Sequence, residues 1–350
     1  MAKVGILGFA HGHVFSFGGV WQQNPKHNVT IVKGYDHNQQ RGKEGCEKLN
    51  CRFVADINEI LNDNDIDSVV VSSETYYHAE HVIAAAAAGK RIICYKPLAL
   101  TMQQADAMVE AVQKHNTAFT MGWQMRTDPQ NIQIKQMLDS GEFGRVYSLR
   151  RRHGLPTQKF GDFENSWHVD PAMNRDIFAD DACHPFDFVY WLLGMPETVS
   201  ATLSTLENPK IANDNAICIF KYHCGTLAEV SCNFACLAAE NAVEIQCEKG
   251  TVILDFGDAP STTLPHSTLG LKWYKDGDTD WTYSQIPSPI SHGERISGQA
   301  GPLADFLNGK RGPIATVTEA RDVLKMILAC YESDEKGSRV TLASYRQSSE

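Results

Sequence analysis

Between residues 4 and 123, short apolar runs alternate with helical patterns, and this alternation constrains the fold more than any other feature of the chain. The runs are VGILGF, VTIVKGYD ending on Asp36, SVVVSS, RIICY and AFTMGW. Between them lie a helix through Trp21, a helix around INEILND, the alanine-rich HAEHVIAAAAAGK closed by Gly89, and TMQQADAMVEAVQKHN. Strands that each return through a helix run parallel, so the expected fold class is α/β, with a doubly wound parallel sheet that binds ligands at the carboxyl ends of its strands. After Arg126 the rhythm changes. A helix near IQIKQMLDSGEFG and a strand VYSLRRRH lead into a polar, aromatic-rich stretch and the helical HPFDFVYWLLG. From Thr198 the chain alternates in ICIFKYHCGTLAEVSCNF, VEIQCEKGTVILDF and LKWYKDGDTDWTYSQI, where Asp276-Gly277 signals a hairpin. This predicts a carboxyl-terminal α+β domain with a large open antiparallel sheet, closed by the helix TEARDVLKMILACYESDEK. A chain of 350 residues with 43% apolar content can carry two cores, and the expected division is 1–125 and 126–350.

Charge and composition exclude several partners. No apolar run approaches the roughly 20 residues of a membrane span, and residues 1 to 20 lack a basic leader and cleavage signal, so the expected compartment is the cytoplasm with no membrane partner. With 42 acidic against 32 basic residues, and Arg150 to Arg152 the longest basic run, nucleic acid is not an expected partner. The ten cysteines lie scattered through apolar segments; Cys218, Cys224, Cys232 and Cys236 form no paired C-x-x-C knuckles, which reads as reduced core thiols.

The first strand runs into GILGFAHGH, where the phosphate-cradling G-x-G-x-x-G spacing falls on Gly8, Ala10 and His13. Gly8 sits where the strand must turn. Ala10 is the smallest replacement that still lets backbone N–H groups approach a pyrophosphate. His13 stands where helix packs on strand and requires a wider gap or an outward side chain. Asp36 ends the second strand at the right distance to accept hydrogen bonds from an adenosine ribose, and no arginine follows it directly, which favours NAD over NADP. A parallel-sheet protein without any nucleotide is the alternative reading of these residues alone.

Four further motifs occur in order: Tyr95-Lys96-Pro97; MGWQMR from Met121 to Arg126; Asp180-Asp181-Ala182-Cys183-His184 followed by Phe186-Asp187; and ACYESDEKGSRVTL near the end. Together they resemble the glucose-fructose oxidoreductase/inositol dehydrogenase (Gfo/Idh/MocA) family over nearly the whole chain. The resemblance implies an amino-terminal Rossmann domain that binds a nicotinamide cofactor, and a carboxyl-terminal sheet that carries the substrate site and homo-oligomer contacts. It places Gly8, Phe9, Ala10, His11, His13, Asp36, Ser73, Glu74, His78, Tyr95, Lys96 and Gln124 at the cofactor. Lys96, Trp123, Arg126, Trp167, His168, Asp180 and His184 are placed at the substrate.

Lys96, in the position of the family's E-K-P lysine, would polarise a substrate oxygen or pass a proton. Asp180 and His184 match D-x-G-x-H, and residues four apart share a helix face, so both can meet one carbinol. His184 would accept the hydroxyl proton, Asp180 would bond the substrate or orient the imidazole, and Asp187 would support the helix. Asp176, Asp180 and His184 recur at four-residue intervals, which as a spacing also fits a metal, but the resemblance implies none. The chain departs from the family at Tyr95 for Glu, Glu74 for Pro, Gln124 for Asn, and Asn174-Arg175-Asp176 for a glycine run.

Trp123, Phe160, Phe163, Trp167 and His168 offer aromatic faces of the kind that pack on the C–H face of a pyranose. Arg150 to Arg152 read as alternate strand positions with water on one side, or as a site for an acidic sugar. The expected function is NAD-dependent oxidation of a secondary hydroxyl of a sugar, polyol or glycoside, with the C3 hydroxyl preferred and a lyase or isomerase as a partner acting on the keto product. The alternatives are a non-catalytic NAD- or sugar-sensing binding protein and an oxidoreductase that recycles a permanently bound NAD.

Overall fold

The computed structural model describes residues 1–237, 241–255 and 270–343, which fall into two compact units. The first comprises 1–124, 172–174 and 296–324; the second comprises 125–171, 175–295 and 325–350. The first unit's opening segment ends at residue 124, and two later segments, 172–174 and 296–324, return to that unit.

The first unit runs β1 (Ala2–Leu7), α1 (His13–Gln23), β2 (Val29–Tyr35), α2 (Gln39–Lys48), β3 (Arg52–Val54), α3 (Asn58–Leu61), β4 (Ser68–Val71), α4 (Thr75–Ala87), β5 (Arg91–Cys94), α5 (Met102–Lys114) and β6 (Phe119–Met121). All six strands pair in parallel in the order β3-β2-β1-β4-β5-β6, so the order reverses between β1 and β4 and opens a crevice at their carboxyl ends. β4 is buried throughout, as a strand covered on both faces must be. Helix α2 has no counterpart in the sequence reading, because QQRGKEGCEK offers almost no apolar stripe. It forms by local capping, with the Asn38 side chain accepting from the Arg41 N–H, and by close approach, since a Cβ at Gly45 would fall 2.5 Å from the Phe9 ring. Val4, Ile6, Phe17, Trp21 and Tyr95 share a core with Leu303, Phe306, Leu307 and Ile314, and Trp21 Nε1 donates to the Ala300 carbonyl at 2.8 Å.

The second unit contains α6 (Pro129–Asp139), β7 (Val146–Gly154), α7 (Ile177–Asp181), α8 (Cys183–Leu193), β8 (Thr198–Ser204), β9 (Asn215–Lys221), β10 (Leu227–Asn233), β11 (Ala242–Cys247), β12 (Gly250–Leu254), β13 (Leu271–Lys275), β14 (Thr282–Tyr283) and β15 (Val340–Thr341). These nine strands form one sheet, β14-β13-β12-β11-β7-β10-β9-β8-β15. The expectation of an antiparallel sheet needs one correction: β7 and β10 pair in parallel, Ser148 opposite Leu227 through Gly154 opposite Asn233. Alternation in a sequence specifies which face each residue takes but not the direction of its neighbour. Here the long connection from 155 to 226 supplies the crossover that a parallel pair needs. Asp276-Gly277 turns the β13/β14 hairpin, with Gly277 at φ +90. Phe256, the last residue of the expected VEIQCEKGTVILDF strand, lies outside the described residues. The later helices are α9 (His292–Gly298), α10 (Ala300–Leu307) and α11 (Val317–Lys336).

The inward face of the sheet carries Ala216, Cys218, Phe220, Val230 and Cys232, all buried. All ten cysteines are free thiols. Burial pushes Cys94 and Cys232 above the ordinary thiol range, as it does for a small apolar packing group. Among the described residues no helix is long and apolar enough to cross a membrane.

Candidate active site

Each unit holds its own group of candidate residues. In the first, β1 ends at Leu7 and Gly8 turns the chain at φ +91, where a Cβ would lie 2.4 Å from the Ser73 backbone. Only glycine fits both the left-handed conformation and that approach. The loop is tied to the end of β4, with Ser72 Oγ donating to the Gly8 carbonyl at 2.6 Å and the His11 N–H donating to the Ser72 carbonyl at 2.9 Å. Gly12 is the N-cap of α1, with open space where its Cβ would be, no side-chain cap and no acid in the first turn. A positive helix end left open beside a glycine turn at the point where strand order reverses suits a pyrophosphate, so the loop fits the nucleotide it implies.

Two departures from the family pattern prove to be one structural feature. The His13 ring packs edge-on against His11 at 4.4 Å and against Tyr95 at 5.7 Å, and Tyr95 stacks on Phe17 at 5.2 Å. The wider gap demanded by a histidine in place of the third glycine is thus filled by the tyrosine that replaces glutamate. Tyr95 is fully buried, which raises its phenol well above the ordinary range, and it acts as core. Phe9 likewise turns its ring into the core, stacked on Phe15 at 5.9 Å, and offers the loop only its backbone.

Asp36 is 1% exposed and accepts from the Phe9 N–H, the Asn38 N–H, Arg41 Nε and Arg41 Nη2, each at 2.8 Å. A carboxylate has about four lone-pair directions, so these bonds use its capacity. The other guanidinium nitrogen, Nη1, meets Glu74 Oε1 at 2.7 Å. Burial acts to lower the Arg41 pKa, but its bonds to Asp36 and Glu74 outweigh that and hold it above its ordinary value. No arginine follows Asp36 directly, yet one reaches it from α2. Arg41 lies one helical turn beyond the position weighed, and two carboxylates around one guanidinium leave a single net negative charge.

Ser73 and Glu74 lead into α4, with Glu74 as its N-cap residue. His78 braces this loop from behind, Nδ1 2.8 Å from the Pro97 carbonyl and Nε2 3.1 Å from that of Ser73. Burial lowers its pKa, and the backbone carbonyls offset part of that shift. Through Pro97, His78 also fixes the segment that carries Lys96, which is 4% exposed just beyond β5. Trp123 and Gln124, at 1% and 2% exposure, end the opening segment of this unit.

In the second unit, α7 and α8 are joined at Ala182, whose backbone stays helical, so residues 180 to 187 keep a helical spacing. His184 and Asp180 are each 3% exposed. Asp180 Oδ1 lies 3.2 Å from His168 Nδ1, while the carboxylate beside His184 Nε2 is that of Asp181, at 3.8 Å. Asp181 Oδ2 in turn takes a 2.6 Å bond from His153 Nε2 on β7. Asp181 and His153 escaped the sequence reading. The signals were there: Asp181 precedes His184 by three residues, on one helix face, and His153 alternates inward on a strand.

Arg126 pairs with Asp187 below 6% exposure, Nε at 3.0 Å from both carboxylate oxygens and Nη2 at 2.6 Å from Oδ1. Asp187 thus anchors Arg126. Phe160, Phe163, His168 and Trp167 form a continuous ring series, with centroids 5.9, 5.7 and 4.0 Å apart in turn. Trp123, grouped with them from sequence, lies in the first unit. Arg150 faces solvent, whereas Arg151 is 1% exposed with its guanidinium 5.0 Å from the Phe188 ring. Asp176 caps α7 through the Ala179 N–H and also accepts from Tyr331 and Asn213, so its oxygens serve the fold. Among the described residues no group of three or more His, Cys, Asp or Glu side chains is arranged to hold a metal.

Comparison with known proteins agrees with this architecture. The model described as "Oxidoreductase family, NAD-binding Rossmann fold" matches residues 2–123, and that described as "GFO/IDH/MocA C-terminal domain" matches residues 131–253. The chain belongs to the Gfo/Idh/MocA oxidoreductase family, and its amino-terminal unit is the family's NAD-binding Rossmann domain. It is 28% identical to the uncharacterized oxidoreductase YrbE of Bacillus subtilis (strain 168) over 222 residues, 62% of each chain. It is 28% identical to myo-inositol 2-dehydrogenase of Thermotoga maritima over 262 residues, 72% of this chain and 75% of the relative. Levoglucosan dehydrogenase of Pseudarthrobacter phenanthrenivorans is 33% identical over 153 residues, 43% of this chain and 39% of that one. Among solved structures, levoglucosan dehydrogenase in complex with NADH and levoglucosan shares the fold with a TM-score of 0.82 at 21% identity, covering 97% of this chain and 99% of that one. An oxidoreductase domain protein from Kribbella flavida does so with a TM-score of 0.83 at 20% identity, covering 98% and 100%.

Proposed function

We propose that the protein oxidises a secondary hydroxyl of a sugar, polyol or glycoside to a ketone with NAD. The observation that carries this reading is the buried imidazole of His184, with the Asp181 carboxylate 3.8 Å from its Nε2, in the unit that also carries Asp180 and the Phe160–Phe163–His168–Trp167 ring series. Relatives named for inositol and levoglucosan support the substrate class. Bound NAD supplies the acceptor for the hydride that leaves the carbinol carbon. His184 takes the hydroxyl proton as the C=O bond forms, and Asp180, through His168, holds the substrate edge beside the aromatic faces; Lys96, in the first unit, stands in the position of the family's lysine that polarises a substrate oxygen. Among ring positions C3 is preferred, because a ketone there acidifies the C2–H and prepares the glycosidic bond at C1 for elimination by a lyase.

The exposed face of the second unit's sheet supports a homo-oligomer. Ile217, Ile219 and Leu227 stand 53%, 46% and 48% exposed on adjacent strands β9 and β10, an apolar patch that a second copy would cover.

Reduction of NAD followed at 340 nm across a panel of inositols, glucosides, anhydrosugars and small hydroxy acids tests the reaction, with turnover expected for ring polyols and none for hydroxy acids. Turnover confined to hydroxy acids refutes it. In the same assay NAD is expected to bind at least about tenfold (roughly 1.4 kcal/mol) more tightly than NADP, because Asp36, Arg41 and Glu74 together present a negative charge to a 2'-phosphate. Asp36→Ala should narrow that ratio and Arg41→Ala should widen it. Equal affinities for the two cofactors in a fluorescence titration would show that this cluster does not face the ribose.

A further inference from the structure

The family pattern D-x-G-x-H leaves its second position open, and here that position is Asp181, 6% exposed and bonded to a histidine from another element. A carboxylate with so little water is ionised only if donors surround it. The 2.6 Å bond from His153 Nε2 provides one, and because an ionised carboxylate only accepts, His153 is the donor. The other oxygen of Asp181 is left facing His184 Nε2 at 3.8 Å, too far for a hydrogen bond to the neutral ring but close for an ion pair with the charged one. The imidazoles of His153 and His184 stand 6.3 Å apart across this carboxylate.

From this arrangement we infer that Asp181, held by His153, is a positioning residue for His184: it stabilises the imidazolium that exists only after His184 has taken the carbinol proton. The inference rests on the proposed dehydrogenase reading. No new bond is required of Asp181. The O–H proton moves to His184, the C–H electron pair leaves as hydride to the nicotinamide, and the Asp181 charge lowers the energy of the cation that remains. His153 keeps that charge from being quenched by protonation.

Helix α8, which carries His184, packs against α7, β7 and β10. The buried titratable groups are Asp180 and Asp181 on α7 and, besides His184 itself, Cys183 and Asp187 on α8, the last engaged by Arg126. On β7 they are His153 and Arg151, and on β10 Cys232, whose thiol burial raises far above its ordinary range and keeps neutral. His168 adjoins Asp180. Asp181 is the member of this set paired with both imidazoles.

The test is Asp181→Asn, which preserves size and the oxygen that accepts from His153 while removing the charge; His153→Gln, which retains a donor, is the second variant. Titration of the His184 imidazole by NMR in the holoenzyme, assigned with His184→Ala, should show its pKa lowered by on the order of one unit in Asp181→Asn. The acid limb of kcat/KM for the sugar should move to lower pH by a similar amount, with kcat reduced on the order of tenfold and NAD affinity unchanged. His153→Gln should give a smaller shift of the same sign. An unmoved His184 titration in folded Asp181→Asn overturns the inference, even if His184 itself proves essential. A shifted titration supports it whatever the substrate panel shows, so failure of the dehydrogenase reading is seen separately, as the absence of ring-polyol turnover in that panel.

Discussion

Replacing His184 by Ala, or Lys96 by Met, is expected to lower kcat for sugar oxidation by roughly 100-fold to 10,000-fold, the range that a positioned acid–base group contributes. On the proposed reading both groups act as charge develops on a substrate oxygen, so they would stabilise the transition state more than the bound ground state, and NAD affinity should change by no more than about threefold. The double variant should lose less than the product of the two single losses, because groups that serve one proton transfer are not independent. Stopped-flow measurement of NADH formation separates this from slow product release. Turnover of His184→Ala within about threefold of the parent would remove it as the base, since that is far below what a general base supplies.

The second large effect is expected on stability. Asp187→Ala leaves the buried Arg126 guanidinium without the carboxylate that holds two of its nitrogens, and breaking a buried pair from one side costs about 3–5 kcal/mol. For a unit of this size that corresponds to a fall in Tm of roughly 6–20 °C in a calorimetric scan. The paired replacement Arg126→Met with Asp187→Leu should recover most of the loss, because the desolvation cost of both charges disappears with them. A drop of under about 1 kcal/mol for Asp187→Ala would mean that the pair is screened like a surface ion pair and does not organise α8.

Much of the first unit was legible because its information is local. Three valines in a row at Val69–Val71 need cover on both faces, and HAEHVIAAAAAGK has the composition and terminal glycine of a helix, whatever the rest of the chain does. Gly8 could be read as a turn for the same reason. Helix α2 was not legible, since its stability comes from the Phe9 and Phe53 rings that Gly45 and Gly42 admit, contacts that no periodicity within QQRGKEGCEK records. Lys96, Asp180 and His184 are candidates by motif. Arg41, Asp181 and His153 were not singled out, although Arg41 bonds to Asp36 at 2.8 Å and Asp181 joins His153 to the side of His184.

The sequence by itself determined the alternation of strands and helices, the turn at Gly8, the face that each strand of the second unit buries, and the four-residue spacing of Asp180 and His184. Only the tertiary structure decided that β7 runs parallel to β10, that residues 296–324 return to the first unit, that Arg41 occupies Asp36 and that His153 meets Asp181. The physical reason is range. Hydrophobic period and turn chemistry act over a few residues and are written in order along the chain. The direction of a paired strand and the partner of a buried charge are settled by which desolvated groups can satisfy one another once the core has closed, and those groups come from distant positions.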